Sequence, residues 1–222
     1  MRREKGKQEP YWEPLARQKF SATQNASIVA RHLVPLLGLW WYHGSVGQFL
    51  LLGIFNIAFT IASIGTVGVG VSMKGKFISA ADELAGWSTL AGITLVISVG
   101  LTAMFGWVIA LMASGEPGGF LTATFAWSLL AVVLCALPGM YTQYREDLRS
   151  GLSEEARKKR DQPQVLVHVI SAGLLFLLSG HVASFGRVGA IILALAMTAL
   201  FVFRDLRPDL ARELARPSNR PP

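Results

Sequence analysis

Four histidines, one arginine and one asparagine are the residues whose types and places suggest chemistry. His32 and His168 each stand about four residues inside an apolar run, and His43 and His181 stand at the far ends of the same runs. Two helices that each bear an inner and an outer histidine have the layout of a two-haem membrane cytochrome, where imidazole ligates the iron. That layout needs both histidines of a helix on one face. At about 100° per residue, His32 and His43 are offset by about 20° and share a face, whereas His168 and His181 are offset by about 140° and do not. A haem b or metal site on His32, His168, His43 and His181 is therefore a rival expectation, and no cofactor is the leading one.

Arg31, His32 and Asn56 form a second constellation, with His168 as a further candidate ligand. Polar side chains at membrane depth are costly and face protein or water. Pro35 removes one helical hydrogen bond close by. A short first helix with these residues has the character of a broken transporter helix. For Arg31 alone, reaching back to the head groups is the plainer account. A serine–histidine pair from Ser114 and His181 would need contact inside a wet cavity, but Ser114 opens a Ser-Gly-Glu-Pro-Gly-Gly run that is turn chemistry. There is no glycine-rich phosphate loop, metal-binding helix motif or pair of intramembrane carboxylates, so no catalytic residue is expected. The single cysteine, Cys135, excludes an internal disulfide and a cysteine metal cluster.

These residues are carried by long apolar runs. The chain of 222 residues is 52% hydrophobic and only 16% charged, against about a quarter charged in an average soluble chain. A bilayer core needs about 20 apolar residues per helix, and lipid forces such runs to be helical. Six runs qualify, at about 28–42, 48–71, 87–113, 119–140, 164–180 and 186–203. The expectation is an all-α, polytopic membrane helix bundle. A polar basic tail (1–27) precedes it, with no cleavable signal peptide. A loop at 141–163 divides it, and a basic, Pro-rich tail (204–222) follows. Within that loop, Ser153, Glu154 and Glu155 before Arg157–Arg160 suit a helix dipole, and Asp161 and Pro163 look like the start of helix five.

The net charge of +7 follows from topology. Of the 21 Lys and Arg residues, 20 fall in the N-terminal tail, at the start of helix one, in the loops after helices two and four, or in the C-terminal tail; only Arg187 falls on the other side. Basic residues near helix ends are retained in the cytoplasm, so both termini are expected there. The run Arg157-Lys158-Lys159-Arg160 reads first as a topology determinant and second as a contact for anionic lipid heads.

Three helices carry small residues at a spacing of four: Ala58, Ala62, Thr66 and Gly70; Thr102, Gly106, Ala110 and Ser114; Gly186, Ala190, Ala194 and Thr198. Each set lies on one helix face and would let backbones approach closely, within one chain or between chains.

His32-Leu33-Val34-Pro35-Leu36-Leu37-Gly38, followed by Gly44-Ser45 and Asn56, is similar to the opening of a family of small bacterial inner-membrane proteins of unknown function. The stretch from His168 through Gly173 and Gly180 to Arg204-Asp205-Leu206 resembles that family's C-terminal hairpin. Where the family carries an acidic residue just before the asparagine, this chain has Phe55. The resemblance implies a bacterial cytoplasmic-membrane location and no activity. The leading functional expectation is a non-enzymatic accessory, scaffold or assembly component, with the lipid bilayer, other membrane subunits or a second copy as partners and no nucleic acid. A small transporter or channel using Arg31, His32 and Asn56 is the first rival, and the bis-histidine haem protein is the second.

Overall fold

Ser21 starts the first helix through a reciprocal cap. Its Oγ accepts from Gln24 N at 3.2 Å, and Gln24 Oε1 accepts from Ser21 N at 2.8 Å, which satisfies two orphan donors at once. Helix α1 (Ala22–Trp41) therefore begins about two turns before the apolar run expected to open at 28. Capping decides the boundary, and the polar residues Thr23, Gln24 and Asn25 lie inside it. Pro35 sits within α1 without ending it.

The computed structural model describes residues 21–41, 46–73, 80–106, 108, 122–182 and 186–207. After α1 come α2 (Val46–Ser72), α3 (Ala80–Leu101) with a π-helical continuation (Thr102–Gly106), α4 (Ala123–Ser150), α5 (Glu154–Val182) and α6 (Gly186–Leu206). The described residues form an all-helical bundle of six helices. Four helices are long and apolar enough to cross a membrane: α2, α3 with its π segment, α4 and α5.

The bundle is apolar outside, and its interior holds polar groups beside an apolar core. Val96, Trp127, Leu177, Val188 and Ile192 are all more than 60% exposed, while His32, Asn56, His168 and Asp205 are buried. A water-soluble fold sorts its residues the other way, so this surface is suited to lipid.

Helix α2 is central and packs on α1, α3, α4 and α5. Its small-residue stripe, Ala58, Ala62, Thr66 and Gly70, is buried. Thr66 and Thr94 hydroxyls meet at 2.6 Å between α2 and α3. A Cβ on Gly70 would collide with Leu90 and come 3.2 Å from Tyr144. On the π segment Thr102 and Gly106 are buried, and a Cβ on Gly106 would lie 2.5 Å from Leu51. These stripes pack inside the chain. On α6, Ala194 and Thr198 are buried, and Ala194 joins Phe49, Leu50, Leu175 and Met197 in a core cluster. Ala110 and Ser114 lie outside the described residues, as do the side chains of Gly186 and Ala190. Where α1 crosses α4, the Ser27 hydroxyl donates to the Cys135 carbonyl, and a Cβ on Gly139 would lie 2.8 Å from Ser27 Oγ.

The expected loop at 141–163 is helical except around 151–153. Helix α4 runs on to Ser150, Gly151 turns the chain at φ 62°, and α5 starts at Glu154. Glycine adopts that left-handed backbone without the Cβ penalty. Ser153 Oγ accepts from Ala156 N at 3.3 Å and caps α5. Pro163, expected at the start of a helix, lies inside α5 instead. Helix α6 extends to Leu206, so Arg204 and Asp205 belong to the bundle and not to the tail.

Candidate functional site

Asp205, near the end of α6, is the centre of a buried polar cluster. Its Oδ2 accepts from Arg31 Nη2 at 2.5 Å and lies 2.9 Å from His32 Nε2, both on α1. Its Oδ1 accepts from Arg204 Nε at 2.6 Å and lies 3.4 Å from His168 Nε2 on α5. Further partners hold those side chains. Arg31 Nη1 donates to Thr60 Oγ1 at 3.0 Å, Asn56 Nδ2 lies 2.9 Å from His32 Nδ1, and Arg204 Nη1 donates to Ser171 Oγ at 2.6 Å. Asn56 and Thr60 stand four apart on α2, and His168 and Ser171 three apart on α5, so each pair shares a face. The cluster thus ties α1, α2, α5 and α6 together.

Two guanidiniums face one carboxylate, so the cluster carries a surplus positive charge while both histidines are neutral. Hydrogen placement follows from the heavy-atom contacts. His32 gives its Nε2 proton to the carboxylate, and its Nδ1 accepts from the Asn56 amide. His168 is different. Its Nδ1 lies 2.7 Å from the Gln164 carbonyl, which only accepts, so Nδ1 carries the hydrogen. In a neutral ring Nε2 is then a bare lone pair facing a carboxylate oxygen. His168 Nε2, Arg31 Nε and Asn56 Oδ1 have no hydrogen-bond partner among the described residues.

A polar cavity of about 60 Å³ adjoins the cluster, lined in part by Gln24, Ser27, Arg31, Thr60, Gln143, Gln164 and Asp205. That is room for water, which occupies about 30 Å³ per molecule in the liquid.

Among the described residues no set of three or more His, Cys, Asp or Glu side chains is arranged to hold a metal ion. His32, His168 and Asp205 do converge, but guanidinium nitrogens already occupy both carboxylate oxygens and would repel a cation. Both imidazoles turn Nε2 to that carboxylate, so this pair does not fit a haem iron between them. For the expected outer pair, His43 lies outside the described residues, and His181 is exposed near the end of α5.

Arg31, His32, Asn56 and His168, the four candidate ligands, are therefore brought together, while Asp205 and Arg204 were missed. The available signal was charge balance: an arginine and a histidine inside the first helix need an anion, and Asp205 closes the last apolar run.

A second buried ion pair joins α4 to α5. Arg160 grips Asp147 at 2.5 and 2.8 Å and also holds Asp161 at 2.6 Å. Arg157 is buried as well, and its Nη2 reaches Ser72 Oγ at 3.3 Å. Half of the basic run expected to face solvent or lipid heads is thus internal. Lys158 and Lys159 stay exposed, paired with Glu154 at 2.7 Å and Glu155 at 3.0 Å.

The chain matches no protein-family model, no curated protein and no solved structure.

Proposed function

We propose that this chain is a small, non-enzymatic transporter or channel of the bacterial cytoplasmic membrane that binds and releases a proton at the Asp205 centre. In this reading all six helices cross the bilayer, and both tails lie in the cytoplasm with the basic loops. The observation that carries the reading is His168. The Gln164 carbonyl fixes its hydrogen on Nδ1, and Nε2 faces Asp205 Oδ1 at 3.4 Å without a hydrogen bond. A proton on Nε2 turns that opposition of lone pairs into a charge-assisted hydrogen bond. The adjoining cavity supplies water, and Arg31 with its free Nε offers a place for an accompanying small anion. Ionisable side chains at such depth mark ion and proton pathways in membrane proteins.

The test is proton entry into proteoliposomes that contain a pH-sensitive dye, driven by an imposed potassium diffusion potential. Wild type is expected to acidify the lumen faster than protein-free vesicles. His168→Gln, which keeps an amide near the ring position and cannot take the proton, is expected to abolish the excess. Rates equal to those of empty vesicles would overturn the proposal.

One observation favours a second reading, the accessory or scaffold role. The cluster joins four helices largely through partners inside the chain, as a structural keystone would. In that case His168→Gln lowers thermal stability and leaves no flux to lose.

A further inference from the structure

A cleft of about 1080 Å³ runs between α2 and the first half of α5. Its floor on α2 includes Gly65 and Gly68, where an added Cβ would meet nothing within 4 Å. Its apolar rim includes Val69, Leu166 and Val169, each at least half exposed on the surface suited to lipid. An occupant can therefore enter sideways from the bilayer.

One end of the cleft is charged. Glu154 and Lys158 line it but are paired with each other at 2.7 Å, and Asp161 is held by Arg160 at 2.6 Å. Arg157 lines it too and is only 6% exposed. It has no carboxylate within ion-pair distance among the described residues, and its Nε and Nη1 have no hydrogen-bond partner there. A buried guanidinium with two unpartnered nitrogens is an expensive group to leave alone, and because both nitrogens are closed to solvent the fork has to turn toward the cleft to meet a ligand. Its planar fork matches a phosphate.

We propose that this cleft binds one anionic phospholipid, with the phosphate on Arg157 and an acyl chain lying along Gly65, Gly68, Val69, Leu166 and Val169. The pairing of an apolar groove with a cation that has no carboxylate within ion-pair distance among the described residues selects an amphiphile that carries one negative charge. Basic pockets between membrane helices take lipid head groups on the same grounds. The site is independent of the Asp205 centre and survives whether or not that centre moves protons.

The experiment uses the full-length chain, delipidated in mild detergent and titrated with phosphatidylglycerol, phosphatidylcholine or inorganic phosphate. Bound lipid is counted by native mass spectrometry, and thermal unfolding is followed in parallel. Phosphatidylglycerol is expected to bind one per chain and to raise Tm, at least fivefold more tightly than phosphatidylcholine. Inorganic phosphate, which leaves the groove empty, should give no comparable shift. Arg157→Gln should weaken phosphatidylglycerol at least fivefold while unfolding, without lipid, no earlier than wild type. Gly68→Leu fills the groove without touching the arginine and should weaken it similarly. Equal binding of the two lipids, an equal shift from phosphate alone, or wild-type binding by Gly68→Leu would each overturn the proposal.

Discussion

Asp205→Asn tests the account of the buried centre most directly. The substitution removes the only negative charge of the cluster among the described residues and weakens contacts to Arg31 at 2.5 Å, Arg204 at 2.6 Å and His32 at 2.9 Å. Both arginine side chains are close to nine-tenths buried or more, with exposures of 11% and 9%. Removing one partner of a buried ion pair leaves an uncompensated charge and costs about 3–5 kcal/mol. For a chain of this size each kcal/mol moves Tm by about 2–4 °C, so a fall of about 6–20 °C is expected.

Arg204→Met should behave differently. It leaves Arg31 opposite Asp205 and removes the surplus positive charge. The losses are the ion pair to Asp205 Oδ1 at 2.6 Å, a hydrogen bond to Ser171 at 2.6 Å and a cation–π contact with Phe201 at 4.9 Å. Each of those contacts is worth about 1–3 kcal/mol, and relief of the repulsion between Arg204 and Arg31 offsets part of the loss, so the net cost should be smaller than for Asp205→Asn. The double variant then leaves one unpaired guanidinium instead of two and should be more stable than Asp205→Asn alone. The assay is thermal unfolding in detergent for the four proteins of the cycle, which isolates the coupling between the two residues. Equal destabilisation by the two single changes, or strict additivity in the double, would refute the charge balance drawn here.

Two further outcomes follow from packing and geometry. Gly70→Val should destabilise the bundle by about 1–3 kcal/mol through overpacking against Leu90 and Tyr144; Gly100→Ala, which meets open space on α3, should be neutral or slightly stabilising by the same unfolding assay. Arg160→Lys gives up the two-pronged grip on Asp147 and should lower Tm despite keeping the charge; protease accessibility at 150–154 should rise in parallel, and unchanged cleavage would count against a role for this pair in closing α4 on α5.

The helical class was legible because apolar runs of bilayer length leave the backbone no alternative, and the small residues Ala58, Ala62, Thr66 and Gly70 on α2, with Thr102 and Gly106 after α3, lie at close helix contacts. Helix ends were less legible. Hydropathy stops at the first polar residue, whereas the Ser21–Gln24 cap and the Gly151 turn carry helices well past the apolar runs. The site was half visible. Arg31, His32, Asn56 and His168 stood out because each is polar inside an apolar run. Asp205 did not, because an Arg-Asp pair after the last apolar residue reads like the start of a tail; only the fold shows that α6 brings it back against α1. Arg157 and Arg160 were hidden in a basic run whose four members look alike in sequence and divide, in the helix, between a buried and an exposed face.

Helix α5 has 29 residues, α4 has 28, and at about 1.5 Å per residue each is longer than 40 Å, against a hydrocarbon core of about 30 Å. The surplus length leaves the Gly151 hairpin as a bracket that outreaches a layer of that thickness. It is braced by Arg160 against Asp147, and it is continuous through Gln164 with His168. Pro163 is a joint in α5, where the ladder lacks a hydrogen bond. That joint lies one residue before Gln164, whose carbonyl holds the His168 ring. The orientation of the His168 imidazole toward Asp205 is therefore set by the turn of α5 that begins at this break in the ladder.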